Sequence, residues 1–583
     1  RGLGDVYKRQ VFCSAVFGIL FFVMTFIPVR TIRSFKSSLL ASLGIFVCFT
    51  LFNCLAMPVI SFDTIAIYVE YLAIAILILL YSGIVNEEWS KVNIGFLISV
   101  VVVMLVMGCI STPMFHAGDF RDQLNIEVQD STAFDENIHQ IPLTKMNRVS
   151  EETARDLIEK HKMGELSQKC ELGKFTAQVI TADFKINEFG SDEEIHFIFK
   201  EQPIWVAPLE HSSSWKAFRN GVTNGYALVF QNDPSKYFLV NKVNGKELQL
   251  QYLESGVLFS DLERHLRING VDGLMDDFGI EINEHGLPFN TVSLLKNNIG
   301  WSAPKVTGMA IVDVQSGEIT RTGIEDAPAF VNRIYPERII KNHISWWGEY
   351  VHGWINLTDK DRKKATEEDL EVVYSNGDNY YYTGIKSWNS KGSTLGMMFT
   401  NTRTGQAFYY ERTGINENDA EHAIASHDLV RDGIRLNTLS LNDALFYNIE
   451  GIPTYFSTVI ATNDVMPKYY GFCSALNKQI VGVAPSLEEA VAEYMKKYLE
   501  VQSQSQSDIP SEANLVEQTF TVSEKVQEGN MYIFRFKETG TQQFYAFSDI
   551  LNDVRWKAAK VRVKYNAESS QKMILMSGFE IIE

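Results

Sequence analysis

Four long stretches of almost uncharged sequence constrain the first part of this chain more than any other feature. They cover residues 11–29, 39–60, 65–85 and 92–110. Each approaches the roughly 20 residues that an α-helix needs to cross the hydrocarbon core of a bilayer. A backbone in lipid must satisfy its own hydrogen bonds, and a helix does so. The sequence therefore predicts four transmembrane helices within residues 11–112, with the lipid bilayer as a partner.

The charges in the short loops between these stretches predict an orientation. Arg30, Arg33 and Lys36 separate the first two stretches, whereas the next loop carries only Asp63. Lysine and arginine are enriched in cytoplasmic loops. With the arginine-rich loop in the cytoplasm, everything after residue 112 falls outside. We therefore expect a multi-pass protein of the cell membrane with a large extracytoplasmic body.

The net charge of −18 is distributed unevenly along the 583 residues. Residues 1–112 hold seven Lys and Arg against five Asp and Glu, and the remainder holds 46 against 66. A body this acidic lacks the clustered basic residues with which proteins neutralise phosphate backbones. No nucleic-acid partner is therefore expected.

The first ten residues, RGLGDVYKRQ, have the features of neither a signal peptide nor a helix start. Asp5 to Gln10 resembles the in-frame translation of a sequencing-library adaptor. Such added segments are excluded before a fold is derived. We expect residues 1–10 to be foreign to the native chain, with a short native segment as the alternative.

Glu70 is the one acidic or basic residue inside a predicted span. An intramembrane carboxylate suggests a proton or ion relay. Glu70 lies roughly 8 Å from the outer end of its helix at 1.5 Å per residue, where a side chain can also snorkel to the interface. Because the other spans offer no basic partner, the sequence favours a structural role over a relay.

The chain after residue 112 alternates between helical and strand patterns typical of an α+β protein. We divide it into a polar stalk over 113–148, an α+β domain over 149–360, a second α+β domain over 361–500, a Ser/Gln-rich linker over 501–513 and a small all-β barrel over 514–583. In the last module, five strand-like runs, with a helix between the third and the fourth, follow the order of an OB-like barrel, and an SH3-like barrel is the alternative. Lys560, Arg562 and Lys564 alternate on its fourth strand, but the module holds nine basic and nine acidic residues, so we interpret this face as solvated.

Two segments share the order of a buried strand, a polar turn with Gly, and a return strand. They are AIVDVQSGEI at 310–319 and MMFTNTRTGQAFY at 397–409. Gly317 and Gly405 are 88 positions apart, which suits two related modules or a coincidence between two common hairpins.

VDVQSGEI resembles the closing hairpin of PepSY-type domains, and VSEETA at 149–154 resembles their opening helix. The resemblance covers a few dozen residues in each place and implies a helix packed on a small antiparallel sheet. It further implies an extracytoplasmic or membrane-linked protein, in a family linked to the regulation of proteases. The two segments lie about 160 residues apart, further than in one compact module, and the resemblance assigns no catalytic residue.

The chain contains no phosphate-binding loop, no Gly-x-Ser-x-Gly elbow and no His-Glu-x-x-His zinc helix. The segment 333–354 places His343, Trp346, Trp347, Glu349 and His352 on or beside one predicted helix. Glu-x-x-His contributes to metal sites where a second such helix converges, and none is found. We interpret the segment as a tryptophan-rich packing or docking helix, with contact to the outer leaflet or a ligand groove as alternatives.

Cys170 and Cys473 are the only cysteines of the predicted body. An oxidising compartment would allow one disulfide, and two buried thiols are equally compatible with the sequence. His422 and His427 stand beside acidic residues, but no nucleophile is near them in the sequence. We therefore assign no catalytic, cofactor-binding or metal-binding residue.

These observations favour a membrane-anchored, extracytoplasmic protein that binds, assembles or regulates envelope or membrane proteins and has no catalysis of its own. The alternative is a membrane-coupled enzyme or transporter component whose site forms between modules.

Overall fold

The fold follows the division between an apolar anchor and an acidic body. The computed structural model describes residues 5–26, 32–85, 90–129, 134, 138–356, 358–367, 369–375, 377–390, 393–462, 464, 466–506, 515–528, 531–540, 543–547, 560–566 and 573–582.

Four apolar helices form the N-terminal bundle, as predicted. They are α1 (Asp5–Phe26), α2 (Ile32–Ala56), α3 (Ile65–Val85) and α4 (Lys91–Ile110). All four are long and apolar enough to cross a membrane. At 1.5 Å per residue, the 25 residues of α2 extend roughly 37 Å. Arg30 and the third connection, 86–89, lie outside the described residues.

The expected stalk over 113–148 is instead packed into the body. It contains α5 (Pro113–Arg121) and β1 (Ile126–Gln129), and β1 pairs in parallel with a strand near residue 407. Phe120, Ile138 and Met146 are buried. These apolar residues enter different cores one at a time, so they leave no periodic pattern in the sequence.

The first sheet of the body closes on itself. Its elements are α6 (Glu151–Ile158), β2 (Cys170–Leu172), β3 (Thr176–Glu188), β4 (Ile195–His211), α7 (Ser214–Asn220), β5 (Tyr226–Phe230), β6 (Tyr237–Val243) and β7 (Lys246–Glu247). Strands β3, β4, β5 and β6 pair in a ring. The Ser150 hydroxyl caps α6 by accepting from the Thr153 amide, and the apolar face of α6 packs on the sheet beside Trp205 and Leu239.

A hairpin at Asn244-Gly245 joins β6 to β7, and both turn residues have positive φ, as a two-residue Asn-Gly turn requires. The alternating apolar residues over 248–252 form no strand. Leu248 and Leu250 are buried, but only one isolated bridge, from Leu250 to Thr223, is made there. The alternating apolar residues of this segment are thus buried without forming the hydrogen-bonded ladder of a strand.

The second sheet is antiparallel and carries one helix. Its elements are α8 (Leu262–Ile268), β8 (Leu274–Ile282), β9 (Pro288–Ile299), β10 (Ser302–Asp313) and β11 (Ile319–Thr322). The strand order is β11-β10-β9-β8, and Leu262 and Leu266 of α8 pack on Ala310 and Val312 of β10. The helix that covers this hairpin-bearing sheet is therefore α8, whereas α6, which contains most of the VSEETA segment, covers the first sheet.

The third sheet also combines a helix with antiparallel strands. Its elements are α9 (Glu337–Glu349), β12 (Lys363–Ala365), β13 (Glu371–Ser375), β14 (Asp378–Ser387), β15 (Ser393–Thr394), β16 (Gly396–Asn401), β17 (Ala407–Tyr410) and β18 (Gly414–Ile415). The main order is β1-β17-β16-β14-β12, β13 also pairs with β14, and β15 pairs separately with β18. Ile340 and Ile344 of α9 pack on this sheet.

The fourth sheet completes the body and shares a core with the third. Its elements are α10 (Glu417–Ala425), α11 (Arg431–Arg435), β19 (Leu439–Leu441), β20 (Leu445–Ile449), β21 (Ile452–Ala461), β22 (Pro467–Ser474), β23 (Asn477–Ala484) and α12 (Leu487–Gln506). The hydroxyls of Tyr382 and Tyr455 are 2.7 Å apart in that core. Helix α12 extends into the expected linker, and 507–514 lies outside the described residues.

The C-terminal module is a closed barrel of the five predicted strands. They are β24 (Leu515–Glu528), β25 (Met531–Phe536), β26 (Gln543–Phe547), β27 (Lys560–Asn566) and β28 (Met573–Ile581). The order around the barrel is β24-β25-β26-β28-β27, with β26 and β28 parallel. The helix predicted between the third and fourth strands lies outside the described residues.

The body rests on one end of the helix bundle through the second sheet and α8. The Arg264 guanidinium donates to the carbonyls of Cys54 (3.2 Å) and Leu55 (2.7 Å) at the end of α2. The last carbonyls of a helix lack partners within it and form the negative end of its dipole, so they favour a cation.

Two further contacts connect the second sheet to this end of the bundle. The Asn297 amide donates to the Asp63 carbonyl (2.7 Å), and the Trp301 backbone amide donates to the Ser111 hydroxyl (2.8 Å). Asp63 lies between α2 and α3, and Ser111 follows α4. The body therefore lies at the end of α2 opposite to its start at Ile32.

Candidate functional site

A cleft of about 480 Å³ opens between the first two sheets and the last two. We call it the central cleft. Residues in and just before α6, residues just before β3, and residues of β3 and β4 form one wall. Residues of β13, β14, β20 and β21 form most of the other. The charged residues that line it are Arg148, Glu151, Glu152, Arg155, Lys174, Arg333, Glu337, Glu371 and Asp443.

The basic residues come from the first two sheets and their connections. Lys174 and Arg333 both approach Asp277, at 2.8 Å each. Asp277 itself has φ of 56°, in the left-handed region that Asp tolerates better than most residues. Burial opposes the charge of Arg333, but Asp277, Tyr381, Glu281 and Glu337 together more than compensate and raise the pKa of the guanidinium.

Two guanidinium nitrogens of arginines that line the cleft are buried without a hydrogen-bond partner in the described part of the chain. They are Nη2 of Arg333 and Nε of Arg148. The Arg148 guanidinium also lies 5.7 Å from the centre of the Tyr470 ring, a cation–π distance. Buried donors without partners are costly.

The acidic residues of the opposite wall come from the third and fourth sheets. Burial, together with the nearby carboxylates of Asp443, Glu417 and Glu421, raises the pKa of Glu371 to about 8. Burial also raises the pKa of Glu417, whose carboxylate accepts from the Gly384 amide (3.1 Å). This wall therefore concentrates carboxyl groups that hold protons more strongly than exposed ones.

A network of hydrogen bonds connects the two sides beneath the cleft. The Thr402 hydroxyl donates to the carbonyl of Asn332 (2.7 Å), and the Asn379 amide donates to the Ala177 carbonyl (3.4 Å). The Arg403 guanidinium donates to three carbonyls of the segment between β11 and α9, those of Ala327, Pro328 and Val331. A network of this kind makes the floor of the cleft rigid.

The central cleft presents charges of both signs. Its first wall carries basic residues together with Glu151 and Glu152, and its second wall carries Glu371 and Asp443. Such a lining suits a ligand with both positive and negative groups. Within the described residues, no group of three or more His, Cys, Asp and Glu side chains could hold a metal ion.

The tryptophan-rich segment lies apart from the cleft centre. Trp346 contacts Phe120 of α5 edge to face (4.9 Å), and Trp347 contacts Tyr409 of β17 (5.1 Å). Helix α9 thus packs between α5, which follows the last apolar helix, and the third sheet. Trp354, beyond the helix, remains about half exposed at 48%.

The His and Glu residues of that segment have separate partners. His343 is buried, its Nε2 lies 3.2 Å from the Pro304 carbonyl, and burial lowers its pKa to about 4. Glu349 pairs with Arg362 (2.7 Å), and His352 pairs with Asp361 (2.8 Å). Glu349 and His352 are therefore not brought together as ligands.

The remaining residues considered from the sequence are scattered. Cys170 and Cys473 are both free thiols, in β2 and β22, and burial raises the pKa of Cys473 to about 12. His427 pairs with Glu493 (3.3 Å). Glu70 is 6% exposed and faces the inside of the bundle.

Sequence reasoning missed most of the cleft. Arg333 and Glu337 begin the segment that was distinctive in the sequence, but Glu371 and Asp443 carry no local signal. Glu371 on β13 and Asp443 before β20 become part of the central cleft only when the third and fourth sheets pack against the first two.

No protein-family model matches the chain, and no curated protein does. Among solved structures, the HINb domain of p204 is similar over 25% of this chain and 93% of its own length, with 10% sequence identity and a TM-score of 0.11. A likeness this weak says nothing about the fold or the function of the chain.

Proposed function

We propose that this chain is an extracytoplasmic binding protein anchored by four transmembrane helices, which assembles or regulates other envelope or membrane proteins without catalysis of its own. The central cleft is the observation that carries the proposal. Its lining, which carries charges of both signs, and its rigid floor suit a segment of another protein, since peptides present charges of both signs and many backbone groups.

The placement of the body supports the extracytoplasmic assignment. The body contacts the end of α2 and the connection that contains Asp63, at the far end of α2 from the connection with Arg30. Basic loops favour the cytoplasm, so the body belongs outside.

Two module types support a role in binding. In the barrel, the order β24-β25-β26-β28-β27 with a parallel β26–β28 pair favours an OB-like scaffold, which is used mainly for recognition. The second and third sheets each pair a helix, α8 or α9, with a terminal hairpin. This architecture favours two PepSY-like modules, shorter than the 149–360 unit.

Charge reversal at the cleft rim tests the binding role. Lys174 and Asp443 are exposed at opposite sides of the cleft, so Lys174→Glu and Asp443→Lys should fold and should reduce recovery of a co-purified membrane partner at least tenfold. Lys246→Glu and Glu247→Lys, on exposed β7, are the matched controls and should leave recovery unchanged. Equal recovery with all four variants would refute the proposal.

Protease treatment of sealed vesicles tests the orientation. Protease added to right-side-out vesicles should digest the body and leave the helix bundle. Protection of the body in these vesicles, with digestion in inverted ones, would place it in the cytoplasm.

The second candidate function is a membrane-coupled enzyme or transporter component with its site between modules. The raised pKa of Glu371, about 8, favours it, because a carboxyl group with such a pKa can exchange protons near neutral pH. Turnover of a ligand that Glu371→Gln abolishes without weakening ligand binding would select this function over simple binding.

A further inference from the structure

Three polar side chains meet inside the helix bundle, within the half nearer the body. Ser14 of α1 and Asn53 of α2 are fully buried, and Glu70 of α3 is 6% exposed. The sequence suggested that Glu70 could snorkel to the interface. Its carboxyl group instead lies between helices, on the inner face of α3.

Some oxygen acceptors of this cluster have no hydrogen-bond donor among the described residues. The Asn53 amide donates to the Ser14 hydroxyl (3.3 Å), which itself donates to the backbone carbonyl of Gln10 (2.8 Å). Both carboxyl oxygens of Glu70 and Oδ1 of Asn53 are buried and make no hydrogen bond of standard geometry within the described residues. Gln10, in the segment that we expect to be foreign, is not needed for the site.

No basic side chain of the described spans faces Glu70. Its neighbours are Asn53, Cys13 of α1 and Tyr71 of α3. Lys36 and Lys91 lie toward the other end of the bundle, and Arg9 pairs with Asp272 of the body at the surface (2.6 Å). Placing a carboxylate in an apolar medium without a compensating charge costs several kcal/mol or more.

The end of the bundle that faces the body contains a cavity. This cavity of about 440 Å³ lies between the α2–α3 connection and the second sheet. Its lining includes Asp63, Thr64 and Asp272. Thr64 immediately precedes α3, so this cavity opens about one and a half turns from Glu70.

We propose that Glu70, with Asn53 and Ser14, forms a site that takes up a single positive charge from the body side of the bundle. The charge is supplied as a proton or as a monovalent cation. The oxygens of Glu70 and Asn53 accept it, and the cavity beside Asp63 is its entrance. Intramembrane carboxylates that face a bundle interior commonly mark such pathways. The inference is independent of the binding role proposed for the central cleft.

The test uses the full chain in lipid nanodiscs and dicyclohexylcarbodiimide, which partitions into lipid and reacts with protonated carboxyl groups. Peptide mapping measures modification of Glu70 against pH, with and without sodium. The carboxyl infrared band that disappears in Glu70→Gln reports the same group without labelling.

A proton site predicts modification and an infrared carboxyl band that decline together as pH rises, regardless of sodium. A cation site predicts that sodium reduces modification at least tenfold at constant pH. A carboxyl group that stays protonated across the whole pH range, insensitive to sodium, would overturn the proposal, and so would one that is ionised throughout and insensitive to sodium.

Asn53→Ala should shift the pH midpoint by about one unit, or the sodium midpoint by about tenfold, because it removes a polar group beside the carboxyl. Asn93→Ala is the matched control. Asn93 is equally buried and donates to the Ser82 hydroxyl (2.8 Å), but it lies near the other end of the bundle. An equal shift in both variants would show a general effect on the bundle and would count against the site.

Discussion

At the scale of single residues, the body contains carboxyl groups whose surroundings oppose their charge. Glu371 lies beside Asp443, Glu417 and Glu421, and Glu281 is fully buried on β8 of the second sheet. Burial raises the pKa of Glu281 to about 7, although the Asn332 amide donates to its carboxylate at 2.6 Å. Such groups make stability depend on pH because the folded and unfolded chains bind protons differently.

Glu371 should destabilise the folded chain as pH rises. Its pKa is about 8 when folded and about 4.3 in an unfolded chain. Between these values the folded chain holds a proton that the unfolded chain has released, so stability falls with increasing pH and the loss is complete above about 8.

Glu371→Gln removes this titration. We expect the loss of stability between about pH 5 and about pH 9 to be smaller by about 1–3 kcal/mol in the variant. Thermal unfolding of the detergent-solubilised chain, followed by tryptophan fluorescence, measures it. Glu247→Gln on exposed β7 is the control. A pH dependence equal to that of the parent chain would contradict the assigned environment.

The two thiols of the body should differ in reactivity. Cys473 is fully buried with its pKa raised by burial, and Cys170 is partly exposed. Since the thiolate is the reactive species, iodoacetamide should modify Cys473 only after unfolding, and Cys170 slowly in the folded chain. Mass mapping without reductant should find both as free thiols, whereas a peptide joined through Cys170 and Cys473 would contradict the structure.

At the scale of elements, the hairpins β10–β11 and β16–β17 have the same construction. Asp313 and Asn401 each accept backbone amides of the turn through their side chains. Gly317 and Gly405 follow with φ of 74° and 72°. Both glycines are also covered by a tyrosine ring, and a methyl group added there would approach the ring to 2.5 or 2.4 Å.

Gly317→Ala and Gly405→Ala should therefore destabilise their hairpins equally, by about 2–4 kcal/mol, because each combines backbone strain with a steric clash. Gly190→Ala is the matched control. Gly190 has φ of 78° but nothing within 4 Å of the added methyl group, so it should cost about 1 kcal/mol. Unfolding midpoints measure the three variants, and a cost at Gly190 equal to that at Gly317 would show that the ring contacts contribute nothing.

At the scale of the whole molecule, α8 connects the body to the membrane anchor. Arg264 binds the end of α2, whereas Arg267, one turn further, pairs with Glu263 of its own helix (2.7 Å). The two arginines lie on one short helix, but only Arg264 bonds to the bundle.

Arg264→Ala should loosen the docking of the body by about 1–2 kcal/mol. Amide hydrogen exchange in residues 57–64 should then rise about tenfold, while Arg267→Ala should leave it unchanged. An equal rise in both variants would show that α8, and not the contact to α2, controls this region.

The sequence predicted the elements whose patterns are local. About twenty apolar residues in succession satisfy the requirement of a bilayer wherever they occur, so four apolar helices form where the spans were predicted. The last two match the predicted bounds to within one residue, whereas the first two begin six and seven residues earlier than predicted. The five barrel strands follow from the alternation of apolar and polar residues. The turns at Gly245, Gly317 and Gly405 follow from the need for positive φ. Both signals are also local.

The features that only the tertiary structure decided depend on contacts between residues that are far apart in the sequence. The apolar residues of 113–148 enter cores that the sequence does not show, so a stalk was expected where the chain is packed. Glu371 and Asp443 are ordinary surface-type residues until two sheets bring them opposite Arg333. Glu70 is a single carboxyl group in the sequence, and only helix packing turns it inward toward Asn53. Local periodicity determined the four apolar helices and most of the secondary structure. Packing brought the charged groups of the two candidate sites together, because electrostatic interactions depend on distance in space and not along the chain.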